Sequence, residues 1–104
     1  MSSIIWSDPA VEDLESILDF IAKDSEYYAL SFVNEIIGHA SKLHDFPDMG
    51  RIVPEYDRHD IRELIFQSYR IIYQIKGDEI IILTVVHGKR NLLQVYDLST
   101  DNQG

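Results

Sequence analysis

The chain contains no cysteine, few basic residues and no long apolar run, and each absence excludes a class of protein. Without cysteine there is no disulfide framework, no thiolate nucleophile and no zinc site of the cysteine type, which is compatible with a reducing cytoplasm. The longest apolar run, residues 80–86, is far shorter than the roughly 20 residues of a membrane-spanning helix. The first residues lack a basic region, and their apolar run ends at Trp6, which is not typical of a signal peptide. We therefore expect a cytoplasmic protein that makes no membrane contact.

Basic residues are outnumbered, since nine Lys and Arg stand against 18 Asp and Glu, for a formal net charge of −9. The imbalance is confined to the first half: residues 1–50 hold 10 acids and 2 bases, whereas residues 51–104 hold 8 acids and 7 bases. A nucleic-acid-binding protein usually shows a basic surface, and this composition argues against one. The nearly neutral second half still leaves room for a locally positive patch.

Length and composition indicate one globular domain. The 104 residues are 45% apolar and 26% charged, which is ordinary for a domain with a single core. We assign residues 1–98 to this domain and residues 99–104 to a disordered tail, because the tail is polar and terminal.

Two amphipathic helices are predicted after a short first strand. The apolar segment Ser3–Trp6 favours a strand, and Asp8 followed by Pro9 is typical of a helix start. Apolar residues then recur at helical spacing until about Asp24, and Ser25 can cap a second helix. The short turn between the helices predicts an antiparallel hairpin. The first apolar stripe contains Val11, Leu14, Ile17, Leu18 and Ile21, and the second contains Ala29, Phe32, Val33, Ile36, Ala40 and Leu43.

Three antiparallel strands are predicted between residues 61 and 87, because short reversals lie near Ser68 and at Lys76–Asp78. Residues 80–86 are apolar on both faces, which predicts a central strand covered on both sides. Residues 48–60 read as a polar loop, and residues 91–98 as a short strand or helix. The predicted fold class is therefore α+β, with an N-terminal strand, an antiparallel two-helix hairpin and a three-stranded antiparallel sheet.

Three side chains of the predicted sheet are candidates for catalysis: Arg62, Arg70 and His87. An arginine such as Arg70 can fork onto two phosphate oxygens, whereas the alternative for it is a salt bridge to Glu63 on the neighbouring strand. The imidazole of His87 could exchange a proton with a ribose hydroxyl, whereas its alternative is a structural role at the strand end. For Arg62 the alternative is again a surface ion pair.

Five further residues are candidates for binding: Arg51, Tyr69, Tyr73, Lys89 and Arg90. The tyrosines could stack on a base, although cross-strand packing is the commoner role of such residues. The cations form no extended basic cluster. The four histidines show no metal-ligand spacing, and there is no glycine-rich phosphate loop, so we expect neither a metal nor a cofactor.

An ordered set of segments resembles the RelE/ParE superfamily of toxins from type II toxin–antitoxin modules, often called plasmid-stabilisation proteins. The resemblance covers roughly Ile4 to Leu93 and implies a small α+β toxin that a cognate antitoxin holds inactive. It leaves the oligomeric state open, a heterotetramer or a larger assembly with the antitoxin included. The segments are IIWSDPAVEDLESILDFI, A-x-x-F at Ala29–Phe32, L-x-x-F-P-D-M-G-R at Leu43–Arg51, I-R-E-L, S-Y-R-I-I-Y-Q-I and V-V-H-G-K-R.

The resemblance implies one of two targets. ParE-like members act on DNA gyrase, and the H-G-K-R ending, the long hairpin and the acidic balance favour that branch. RelE-like members cut mRNA in the ribosomal A site; Arg62, Arg70 and His87 match their functional positions, but Glu55 and Asp57 stand where such members have lysines. Whether the chain is an enzyme therefore stays open. A third interpretation is an inactive or repurposed interaction module on the same fold.

Overall fold

Two helices pack against one face of a five-stranded sheet in the computed structural model, which describes residues 1–96 and Leu98. The predicted domain of residues 1–98 is thus described except for residue 97, and the predicted tail, residues 99–104, lies outside the described residues. The elements are β1 (Ser3–Trp6), α1 (Asp8–Ala22), α2 (Glu26–Ser41), a 3-10 turn (Lys42–His44), β2 (Arg51–Ile52), β3 (Ile61–Phe66), β4 (Tyr69–Lys76), β5 (Glu79–His87) and α3 (Leu92–Val95).

The predicted α+β class and its element order are confirmed, but the sheet has more strands than predicted. Its order is β1-β5-β4-β3-β2. The first strand joins the sheet by pairing parallel to β5, from Ser3 with Glu79 to Trp6 with Ile82. A further edge strand, β2, forms inside the segment predicted as a polar loop and pairs antiparallel to β3. The sheet is therefore mixed and five-stranded, and its three long strands are the antiparallel ones that the sequence indicates.

Serine side chains cap both helices. Ser7, rather than the predicted Asp8, is the N-cap of α1: its Oγ accepts the Ala10 N–H at 3.2 Å and donates to the Leu83 carbonyl at 2.9 Å. Ser25 caps α2 as predicted, through the Tyr28 N–H. The Ser7 side chain thus satisfies a free helical N–H and at the same time ties the start of α1 to the sheet.

Tight reversals join the three long strands. The β3–β4 turn consists of Gln67 and Ser68, with Gln67 in the left-handed region at φ 51°, and the β4–β5 turn contains Gly77 at φ 56°. Glycine adopts this conformation without steric cost, whereas Gln67 does not. The first turn brings Ser68 next to the end of β5, where the Gly88 N–H donates to the Ser68 carbonyl at 2.7 Å.

Hydrophobic cores lie on both faces of the sheet, so the prediction of a central strand covered on both sides is confirmed. The hairpin α1–α2 covers one face. The segment around Val53 and the C-terminal residues from Leu92 to Tyr96 cover the other, and residues 92–95 are helical. None of the helices in the described part of the chain is long and apolar enough to cross a membrane.

Candidate functional site

A groove of about 520 Å³ lies where β3 turns into β4 and where β5 ends. Five of the eight predicted site residues line it: Arg51, Tyr69, Arg70, His87 and Lys89. The remaining lining comes from Ile65 on β3, the β3–β4 turn, the segment after β2 and Gly88. The structure therefore brings together residues that are far apart in the sequence, on one open surface at one end of the sheet.

Arg70 reaches this groove, but two carboxylates hold it. Its Nε donates to Glu63 Oε1 at 2.6 Å, and its two terminal nitrogens donate to the two carboxylate oxygens of Glu55 at 2.8 Å each. The side chain is only 10% exposed. The hydrogen bonds that Arg70 donates to Glu55, and then the one to Glu63, raise the pKa of Arg70 above its ordinary value and outweigh the opposing effect of burial. The ion-pair alternative weighed for Arg70 from the sequence is the one that the structure contains, with Glu55 as an additional partner.

Glu63 is the centre of this network, and it was noticed in the sequence only as a partner for arginine. Its side chain is fully buried and accepts from Nε of Arg51 as well as from Arg70. Arg51 and Glu63 are direct cross-strand partners of β2 and β3. The sequence predicts a loop where β2 forms, and a loop has no strand register from which the Arg51–Glu63 pair could be predicted.

Arg62 lies away from the groove. It neighbours Glu63 on β3 and pairs in register with Tyr73, so the strand alternation turns it away from the face that carries Glu63. Its guanidinium donates to the carbonyls of His59 at 3.1 Å and Gly50 at 3.0 Å. Arg62 thus fastens the loop before β3. The three residues predicted as a catalytic set do not share one surface.

Tyr73 is fully buried and offers no ring face for stacking. Its hydroxyl donates to the Pro47 carbonyl at 2.8 Å and accepts the Gly50 N–H at 3.0 Å. Burial raises the pKa of this hydroxyl. A Cβ on Gly50 would lie 2.6 Å from the Tyr73 hydroxyl oxygen, so the close approach requires glycine. Tyr73 is therefore placed as a structural tie between the sheet and the loop after α2.

His87 and Tyr69 form a ridge of two rings whose centroids are 5.4 Å apart. The Nδ1 atom of His87 accepts the backbone N–H of Lys89 at 3.2 Å, which is the kind of strand-end tie that the structural alternative describes. The ridge separates the groove from a smaller one of about 210 Å³, to which α1 and Arg90 contribute. Arg90 is thus near the other candidates but across the ridge from Arg51 and Lys89.

The chemistry available in the main groove is limited. Its exposed cations are Arg51, 64% exposed at the side chain, and Lys89. No group of three metal-ligating side chains occurs among residues 1–96 and 98. Cations, an imidazole and a tyrosine ring at an open surface can bind an anion or dock on a partner, whereas Arg70 is already neutralised by Glu55 and Glu63.

The chain is similar to known proteins over most of its length. Residues 4–92 match the family model described as the ParE toxin of the type II toxin–antitoxin system parDE. Toxin ParE3 of Caulobacter vibrioides is 26% identical over 97 residues, which span 88% of this chain and 92% of that protein. A solved structure described as the chromosomal ParDE TA system from P. aeruginosa superposes with a TM-score of 0.71 at 26% identity, over 84% of this chain and 96% of that one.

Proposed function

Because the chain belongs to the ParE family of toxins of type II toxin–antitoxin systems, we propose that it arrests growth by binding a protein target, DNA gyrase first among the candidates, and that a cognate antitoxin neutralises it. The family predicted from the sequence, and its ParE branch, are thereby confirmed. The protein target and the neutralisation by an antitoxin are what we propose. We also propose that the protein acts in the cytoplasm, where gyrase and the translating ribosome are both found.

One observation carries the preference for a protein target over mRNA. Phosphodiester cleavage needs cations that are free to stabilise the charge of the transition state. Here Arg70 is ion-paired with both Glu55 and Glu63, and Arg62 donates hydrogen bonds to backbone carbonyls outside the groove. The net charge of −9 also repels RNA, whereas docking on a protein does not require a phosphate-binding surface.

The test compares two assays with the same purified chain. We expect it to inhibit DNA supercoiling by gyrase and to leave end-mapped mRNA intact in a translating extract. Cuts at the ribosomal A site that His87→Ala and Arg70→Lys abolish would instead establish the nuclease activity. No effect in either assay, together with normal growth on expression, would identify an inactive interaction module. Circular dichroism of each variant shows that it is folded.

The antitoxin contact is proposed to be mostly apolar. Aromatic and aliphatic side chains remain exposed on the outer face of the hairpin, among them Phe20 at 68% and Tyr27 at 83%. Acidic residues of α1, namely Glu12, Glu15 and Asp19, lie exposed nearby. An apolar helix or strand of the antitoxin, carrying basic residues opposite these acids, would fit such a surface.

Salt resistance of the complex tests this contact. At about 1 M salt the Debye length is about 3 Å, so little of a surface ion-pair contribution remains. We expect toxin and antitoxin to copurify under that condition, and dissociation at moderate salt would contradict an apolar contact. Light scattering of the purified complex gives its stoichiometry, for which the proposal is a heterotetramer or a larger assembly.

A further inference from the structure

Glu55 occupies Arg70 in the way that an external anion would. Both of its carboxylate oxygens accept from the two terminal guanidinium nitrogens, at 2.8 Å each. This fork-to-fork arrangement is also how arginine binds two oxygens of a phosphate. Hydrogen bonding to Arg70, with a smaller electrostatic contribution from Arg51, lowers the pKa of the Glu55 carboxyl, against the opposing effect of burial. The carboxylate is therefore ionised at neutral pH and paired.

The position of this pair in the groove matters as much as its geometry. Arg70 and Glu55 both line the groove, together with Arg51, His87 and Lys89. The Glu63 carboxylate is fully buried beneath them and fixes Nε of Arg70, so the guanidinium keeps its orientation whether or not Glu55 is present. Glu55, in contrast, is 28% exposed and lies between β2 and β3, outside both strands. It lines the groove beside the guanidinium that it holds.

We propose that the groove is a phosphate-binding site whose arginine is occupied by the Glu55 carboxylate. This one side chain prevents the groove from binding the phosphodiester backbone of single-stranded nucleic acid. A carboxylate tethered within the chain competes at an effective concentration in the millimolar range or above. A phosphate group from solution has to displace it and also meets the unfavourable field of an acidic protein. With Glu55 removed, Arg70, Arg51 and Lys89 present three cations to one open groove.

The proposal is independent of the gyrase and antitoxin assignments, because its test contains neither partner. Its failure would leave the proposed function standing, and failure of the proposed function would leave this site to be judged by its own measurements.

The experiment measures binding of a fluorescently labelled single-stranded RNA of about 8 nucleotides at about 50 mM salt, where phosphate contacts are strongest. The natural chain is compared with Glu55→Gln and with Glu55→Ala, since the glutamine carbonyl can still accept one hydrogen bond from Arg70. Removing the tethered competitor is expected to raise affinity by at least about tenfold, more for alanine than for glutamine, with a steeper dependence on salt.

Asp57→Asn is the matched control. It removes the same formal charge from the same segment, and the Arg70 guanidinium makes its hydrogen bonds to Glu55 and Glu63 rather than to Asp57. We expect Asp57→Asn to change affinity by less than about twofold, as for a solvent-screened surface charge that does not pair with Arg70. Equal gains in the Glu55 and Asp57 variants would overturn the proposal, because net charge alone would then explain both.

Two further measurements locate the effect at Arg70. Arg70→Lys in the Glu55→Ala background is expected to remove most of the gain, because lysine lacks the planar fork. In a titration with inorganic phosphate, the NMR signal of the Arg70 Nε–H is expected to shift in Glu55→Ala and to stay in place in the natural chain. The proposal would be overturned if the natural chain bound RNA as tightly as its Glu55 variants. It would also be overturned if phosphate shifted other signals and not that of Arg70, because Glu55 would then not block the phosphate site.

Discussion

Among the charged residues, the buried Glu63 is one whose removal should lower stability. Its carboxylate is fully buried between strands and is shared by Nε of Arg70 and Nε of Arg51. Removing Glu63 leaves the buried Nε–H of Arg70 without its acceptor, whereas Glu55 still pairs with the terminal nitrogens of Arg70. We expect Glu63→Ala to lower the free energy of unfolding by about 2 kcal/mol, measured by urea denaturation.

The matched control for Glu63 is Glu35→Ala on the exposed face of α2, where a change within about 0.5 kcal/mol is expected. A Glu63→Ala variant as stable as that control would mean that the arginines find equally good partners in water. The buried network would then be irrelevant to stability, whatever its effect on the groove.

At the scale of single residues, the sequence predicts where the candidate site lies but not the state of each side chain in it. The alternation within β4 and the strand-end position of His87 suffice to predict that residues of this region meet at one edge, and five of the eight candidates do line one groove. Sequence alone does not say which cation is free. Arg70 looks like a phosphate ligand until Glu55, fifteen positions away, is seen to hold it. The buried position of Tyr73 depends likewise on Pro47 and Gly50, which fold back onto it from a loop.

At the scale of elements, one carboxylate joins α1 to the sheet. Asp13 Oδ2 accepts from the Thr84 hydroxyl and, at 2.9 Å, from the Val85 N–H. The pairing of β4 with β5 shifts register between Ile72 and Tyr73, just opposite this point. An irregularity of this kind interrupts the ladder, so a partner from outside the sheet is needed for a buried N–H.

We expect Asp13→Ala to lower the free energy of unfolding by about 1–3 kcal/mol, because it leaves the buried Val85 N–H and the Thr84 hydroxyl unsatisfied. Amide hydrogen exchange should show faster exchange at Val85 than in the natural chain. Glu12→Ala, the exposed neighbour on α1, serves as the comparison and should leave exchange at Val85 unchanged. Unaltered protection of Val85 in Asp13→Ala would contradict the link between helix and strand.

The elements differ in how well their own residues predict them. Helices α1 and α2 follow from caps and 3.6-residue spacing, and the three long strands follow from apolar runs separated by two-residue turns. The edge strand β2 has only two residues, Arg51 and Ile52, too few for a pattern. The place of β1 in the sheet is set by its pairing with β5, which lies far from β1 in the sequence. No short stretch of sequence contains both strands. The sequence therefore predicts β1 as a strand but not its place in the sheet, and it does not predict β2.

For the whole molecule, stability should fall in acid because of its paired carboxylates. Hydrogen bonding to Arg70 lowers the pKa of Glu55 below its ordinary value of 4.5. Burial would raise the pKa of Asp60, but hydrogen bonds from Arg58 and Gln74 outweigh it, and the net pKa lies below 3.8. A carboxyl with a lowered pKa in the folded state contributes stability above its unfolded pKa and loses it as the pH falls through the folded value.

We therefore expect the free energy of unfolding to be steady from pH 7 to about pH 5 and to decrease below about pH 4.5. Urea titrations in about 0.5 M salt give the curve while screening the repulsion of the net negative charge. The double variant Glu55→Gln, Asp60→Asn should have a shallower decline. Stability that rises steadily from pH 5 to pH 3 would show that relief of charge repulsion dominates instead.

The parallel pairing of β1 with β5 limits when the sheet can form during synthesis of the chain. Ser3 leaves the ribosome well before its partner Glu79, which follows it in the chain by 76 positions (79 − 3). Closing so long a loop comes late in folding, because its entropy cost is met before any contact compensates for it. The growing chain can form its helical hairpin during synthesis, but the sheet that carries the groove can form only after β5 has emerged. A chain built in this order cannot present the groove before β5 has been made.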